Sequence, residues 1–145
     1  MKRTRCLIVE RHRWETGFTK EQLQIPKDAF KKFFGQPGDV DVDIYASLSS
    51  ARPTRSVTAK ISAYPGSATY RINRVEELGR LPEVLVFIEE RKAGGKVTGY
   101  DVWWEVDTVL VAAKFAKWNK AKDSQYGRGR LWTIVNGPVH RPLRW

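Results

Sequence analysis

Polar and apolar residues alternate most strictly at Val40-Asp41-Val42-Asp43-Ile44-Tyr45-Ala46. This places Val40, Val42, Ile44 and Ala46 on one face and Asp41 and Asp43 on the other, as in a strand with one buried side. Thr4 to Glu10 reads as a further strand, and the polar stretch Arg11 to Lys20 after it has no sustained period, which marks a long loop. Leu23-Gln24-Ile25 forms a short strand. Pro26 then fixes φ at a first helical position, and Ala29, Phe30, Phe33 and Phe34 supply the apolar face of a helix over Lys27 to Phe34 that stops at Gly35. Val57 to Ala63 and Thr69 to Val75 form a hairpin around the wide tip Tyr64-Pro65-Gly66-Ser67-Ala68. Val84 to Glu89 and Gly99 to Val106 form a second pair around Ala93-Gly94-Gly95-Lys96. Asp107 caps a helix through Lys117 with Val109, Leu110, Ala113 and either Phe115 or Ala116 turned inward.

The pattern predicts about seven short strands at all-β spacing, hence a mainly β barrel flanked by short helices. Residues 1–119 make one domain. The tail from 120 to 145 is a basic extension or linker, with Leu131 to Val135 able to add one more strand, and it carries Lys120, Lys122, Arg128, Arg130, Arg141 and Arg144 against Asp123 alone. A chain of 145 residues is long enough to hold a core without staples. Its single Cys6 cannot pair internally and lies in the apolar run Cys6-Leu7-Ile8-Val9, where it reads as core. Neither His12 nor His140 has a partner at metal-ligand spacing, so a disulfide scaffold and structural zinc are excluded and no cofactor is expected. The chain has no apolar stretch of the roughly twenty residues that cross a bilayer and no signal peptide, which predicts a soluble cytoplasmic protein without a membrane partner.

Charge narrows the partner. A formal charge of +10 and a pI near 9.9 favour a polyanion: DNA, RNA or, least of the three, anionic lipid, since the best helical candidate lacks the opposed basic and bulky apolar faces of a membrane-surface helix. The basic residues gather in the loop Arg11 to Lys20, in the hairpin region Lys60 to Arg74 and in the tail, whereas Asp39, Asp41, Asp43, Glu76, Glu77, Glu83, Glu89 and Glu90 lie elsewhere. Within Tyr70-Arg71-Ile72-Asn73-Arg74, alternation puts Arg71 and Asn73 on one face. An arginine can bond guanine through O6 and N7, and an asparagine can do the same with adenine. Glu90-Arg91-Lys92 matches the Glu-x-Lys end of a metal-dependent nuclease site, but that chemistry also needs a second carboxylate brought beside Glu90. With two histidines in basic segments no general base is poised for a Ser-His-Asp arrangement, and no phosphate-cradling glycine loop is present. Catalysis by the chain itself is not expected. Gly127-Arg128-Gly129-Arg130 is one short copy of an arginine-glycine motif. Of the adjacent Trp103 and Trp104, one must face out, either to pack under the helix at Asp107 or to stack on an unpaired base.

Taken in order, Leu23-Gln24-Ile25-Pro26 with its helix, the hairpin ending Tyr70-Arg71-Ile72-Asn73-Arg74, and the pair Val84-Leu85-Val86-Phe87-Ile88 and Gly99-Tyr100-Asp101-Val102-Trp103-Trp104 carry a resemblance. From Thr4 to Lys117 the chain resembles the N-terminal effector domain of EcoRII-type restriction endonucleases, and more broadly the DNA-binding pseudobarrel of BfiI-type enzymes and of plant B-three domains. The resemblance implies a seven-stranded open pseudobarrel whose two arms, Arg11 to Gln24 and Tyr64 to Arg74, grip duplex DNA from the major groove. It aligns Arg71 with a base-contacting arginine, places Ser67, Thr69 and Tyr70 at neighbouring contact positions, and matches Thr19 and Gln24 to contacts of the first arm. Tyr70, Thr69 and Thr19 depart from the charged or imidazole residues of those positions. Asn73 joins the base-reading candidates by its place beside Arg71, and Arg11, Arg13, Lys20, Lys60 and Arg74 are the phosphate-contact candidates by charge and position. The domain would be a monomeric module of a larger enzyme, directing a covalently attached nuclease domain to a short site of the CC(A/T)GG type. An RNA or single-strand binder and a small metal-dependent nuclease are the competing readings.

Overall fold

The computed structural model describes residues 4–12, 22–45, 50–63, 69–78, 83–121 and 129–140. Among them nine strands join into a single, nearly closed barrel-like sheet: β1 (Arg5–Arg11), β2 (Leu23–Pro26), β3 (Gly38–Ile44), β4 (Arg55–Ala63), β5 (Thr69–Ile72), β6 (Val84–Ala93), β7 (Lys96–Glu105), β8 (Asn119–Ala121) and β9 (Arg130–Asn136). Helix α1 (Lys27–Phe33) follows β2 and helix α2 (Thr108–Ala112) follows β7. Neighbours in the sheet run β2-β5-β4-β3-β7-β6-β1-β9-β8, antiparallel throughout except for β3 with β7. The mainly β expectation holds. The count of seven rises to nine because the tail supplies β8 and β9, and β9 inserts beside β1, Cys6 against Val135 and Ile8 against Thr133. The extension after residue 119 is thus continuous with the sheet of the preceding residues.

Alternation divides the side chains between two cores. Leu7, Ile25, Ile44, Ile61, Val86 and Trp132 fill the barrel interior. The opposite face of β1, β6 and β7 would be apolar and wet, with Cys6, Ile8, Leu85, Phe87 and Trp103 exposed, but α2 and the segment around Val139 cover it and form a second core. Val84 to Ile88 is therefore buried on both sides, which is why it reads as a continuous apolar run. Burial also pushes the Cys6 thiol well up from its ordinary pKa, aided by the nearby Glu89 carboxylate, in keeping with a core side chain. The β6–β7 hairpin turns at Gly94 and Gly95, both at positive φ (59° and 82°), a two-residue geometry that glycine adopts at no steric cost.

Sequence periodicity misplaced α2. Asp107 caps it as expected, accepting from the Leu110 amide at 3.2 Å, but the helix has five residues: the Lys114 and Phe115 amides turn to the Val111 and Ala112 carbonyls in a tighter last turn, and the Trp118 indole N–H also donates to the Ala112 carbonyl at 2.9 Å. Val111 is buried while Val109 and Leu110, expected inside, are 79% and 67% exposed. The positions that pack are Ala112, Phe115 and Trp118.

One polar knot fixes α1 to the barrel. Arg5 donates from Nη1 to the Lys32 carbonyl (2.9 Å) and from Nη2 to the Phe33 carbonyl (2.8 Å), while also pairing with Glu90 at 3.0 Å. A cation at a helix C-terminus satisfies carbonyls that have no partner within the helix and offsets the negative end of its dipole. At the other side of α1, Phe30 stacks on Tyr70 of β5 with centroids 3.7 Å apart and planes 9° from parallel. The helix is thereby a rigid support beneath the β2–β5 ribbon.

Candidate nucleic-acid interface

The ribbon of β2 and β5 ends the sheet on one side, and α1 holds it from within. In β2, Leu23 and Ile25 enter the interior, so Gln24 points out; in β5, Tyr70 and Ile72 pack inward, so Thr69 and Arg71 point out. Register brings the outward residues side by side: Gln24 lies directly across from Arg71, and Arg71 directly across from Ser62 of β4. A row of three polar side chains thus crosses three strands, spaced about 4.8 Å per strand. Lys60 is exposed two residues from Ser62 on the same face, in register with Asp39.

The two candidate arms join this ribbon at opposite ends. The connection from β1 returns just before Leu23, which pairs with Ile72, whereas the connection from β4 delivers Thr69, which pairs with Pro26. Strand geometry sets the two junctions about 10 Å apart along the ribbon. Arg13, Thr19, Lys20 and Ser67 fall within these connections and lie outside the described residues.

Several candidates occupy positions that their sequence context did not reveal. Arg11, assigned to the loop as a phosphate contact, is the last residue of β1, in register with Val84 of β6, and is 1% exposed. It cannot reach a phosphate without leaving the core, so the assignment is corrected. Tyr70 projects to the interior side, its ring occupied by Phe30, which removes its face from base stacking. Alternation predicts Asn73 on the outward face beside Arg71, but it lies beyond the end of β5 and turns to β4: its Oδ1 accepts the Lys60 backbone amide at 2.8 Å while its own backbone amide donates to the Lys60 carbonyl at 3.2 Å. It closes the end of the β4–β5 ladder, where β5 stops three residues earlier than expected. Replacing Asn73 by alanine is expected to destabilise the fold by about 1 kcal/mol, the net worth of one hydrogen bond exchanged for water, measurable as a lower denaturant midpoint. Arg74 follows at φ 61°, an unusual value for a residue with a Cβ, and its Nη1 folds back to the Thr58 carbonyl at 3.3 Å. Arg55 anchors this corner from β4: it bonds Glu76, Glu77 and the Arg74 carbonyl, and Glu77, chiefly by hydrogen bonding, raises its pKa from the ordinary arginine value.

The residues behind the alternative readings have structural roles. The Glu90 carboxylate pairs with Arg5 and lies 3.8 Å from Lys92, and among the described residues no group of three His, Cys, Asp or Glu is placed to hold a metal. His12 and His140 are buried rather than carried on open basic segments; His140 stacks on Trp103 with centroids 4.3 Å apart. Trp103 is fully buried and stacks on Phe87, and Trp104 packs against the interior core, so packing accounts for both rings. Arg130, counted among the tail's cations, is 1% exposed and donates to the Glu10 carbonyl at 2.8 Å.

Sequence reasoning named Gln24 and Arg71 but missed two of their neighbours. Ser62 and Gln22 carry no charge and sit in no motif; only the register puts them there. Gln22 Oε1 accepts from Arg71 Nη1 at 3.4 Å. The acidic row Asp39, Asp41 and Asp43 bounds this face at β3, where Asp41 takes the Thr58 hydroxyl and Asp43 pairs with Arg91 at 3.4 Å.

No protein-family model, no curated protein and no solved structure matches this chain. No described helix is long and apolar enough to cross a membrane.

Proposed function

We propose that the chain binds double-stranded DNA sequence-specifically, reading base edges in the major groove with the outward face of the β2–β5 ribbon. The observation that carries this reading is the direct cross-strand pairing of Gln24 with Arg71. Glutamine and arginine are side chains whose forked polar groups match adenine and guanine edges respectively. On adjacent strands, their tips can reach neighbouring base pairs, which rise about 3.4 Å apart. Among the described residues β2 has no further strand on its outer side, so this face lies at an edge of the sheet, with β4 continuing it on the other side of β5. The two connections flank the ribbon about 10 Å apart, where they could close on the sugar-phosphate backbones, and the net charge of +10 favours that approach. In this reading β1 to β7 are the seven-stranded open pseudobarrel, β9 and β8 an addition to its β1 side, and the domain directs an attached nuclease domain of a restriction enzyme.

Selection from a random duplex pool, followed by competition with single strands of the selected sequence, tests the proposal. The expected result is a short enriched motif, affinity that falls steeply with salt as counterions are released, and weak competition by either strand alone. Preference for the single strands would replace this reading with stacking on unpaired bases.

A further inference from the structure

The hydrogen bond between Gln22 and Arg71 gives a residue not among the contact candidates of the first arm a place in recognition. Gln22 is half-buried at the last position of the β1–β2 connection, immediately before β2, and its Oε1 meets Arg71 Nη1. An arginine bonds a guanine edge through two nitrogens only when its guanidinium lies in the plane of the base. Left alone, a long side chain on a strand face rotates through many conformers, and ordering it on binding costs affinity. The Gln22 carbonyl, held immediately before β2, is one contact that removes part of that freedom beforehand.

We propose that Gln22 is a positioning residue that sets the plane of the Arg71 guanidinium for guanine. The proposal rests on the reading of Arg71 as a base contact. The chemistry of Gln22 suits this role, because its neutral carbonyl orients the cation without neutralising it, whereas a carboxylate there would hold Arg71 more tightly and repel the DNA backbone. Guanine discrimination then depends on a residue that never touches the base.

The test uses the whole chain, the duplex obtained by selection and its single-base variants, with affinities measured for wild type, Gln22→Ala, Gln22→Glu, Arg71→Ala and the double alanine variant. Gln22→Ala is expected to lower discrimination at the Arg71-dependent guanine about three- to tenfold, the value of one net hydrogen bond, with preferences at other positions and the thermal midpoint unchanged. Gln22→Glu keeps the acceptor, so it should retain the discrimination ratio while weakening every duplex alike. Adding Gln22→Ala to Arg71→Ala should cost nothing further, because the two act as one unit. Equal weakening of all duplexes by Gln22→Ala, or additivity with Arg71→Ala, overturns the positioning role while leaving Arg71 as a reader. If Arg71→Ala itself relaxes no base position, the reading of Arg71 fails and this inference with it.

Discussion

Replacing Trp103 by alanine is expected to cost about 3–5 kcal/mol of stability, the upper range for truncating a buried aromatic. The second core is small and Trp103 is its centre: the indole has no exposed surface, stacks on Phe87 at 5.0 Å and on His140 at 4.3 Å, and sits beneath the cover that includes Val111 and Val139. Its removal opens a void that the sheet cannot close, since β6 and β7 are held on both sides by hydrogen bonds. Urea or thermal unfolding measures the effect, and Trp103→Phe, which keeps a ring in the stack, should recover a large part of it. Leu110→Ser is the internal control. Helical periodicity predicts a similar loss for it, but the side chain stands in solvent, so a change within about 0.5 kcal/mol is expected. A Trp103→Ala loss below that of Leu110→Ser would mean that the cover over the outer face is not a core.

That contrast shows where sequence was sufficient. Strands were legible wherever one face is wet: Asp41 and Asp43 against Val42 and Ile44 specify β3 almost completely, and the Gly-Gly turn marks the β6–β7 hairpin because glycine adopts its positive φ angles at no steric cost. Helix α2 was misread because its phase is set by tertiary partners. A single turn has no period of its own, and the amides after it tighten onto carbonyls three residues back, at Val111 and Ala112. The tail was read by its charge, which hides that Arg130 is internal and that the Leu131 amide donates a hydrogen bond to the Glu10 carboxylate at 2.7 Å. Arg11 failed for the same reason, since a charge says nothing about the side of a strand on which it falls. In the candidate interface, the outward direction of Arg71 follows from alternation and is correct. What alternation within one strand cannot supply is register between strands distant in sequence, and register is what brings Gln24, Ser62 and Gln22 to Arg71.

Arg71→Ala is the substitution on which the functional proposal turns. On the preferred duplex it is expected to lose about 1–3 kcal/mol, roughly five- to 150-fold in affinity, and on random duplex much less, because a bidentate base contact exists only at the right base. Lys60→Ala, on the same face but suited to a phosphate, should weaken both duplexes alike and reduce the slope of log affinity against log salt by about one. Arg71 is half-buried, with its Nε shielded from solvent and its Nη1 on Gln22, while the packing that holds β5 comes from Ile72 and from Tyr70 against Phe30 on the other side. The thermal midpoint is measured alongside, because a loss of folded protein would weaken every duplex alike and could not produce a sequence-dependent difference. The comparison of the two variants is decisive because both remove one positive charge within the same two strands: if charge alone held the DNA, they would behave identically on every sequence. Identical behaviour would reduce this face to an electrostatic surface, whereas a sequence-dependent loss confined to Arg71 would make the β2–β5 ribbon a reader of bases.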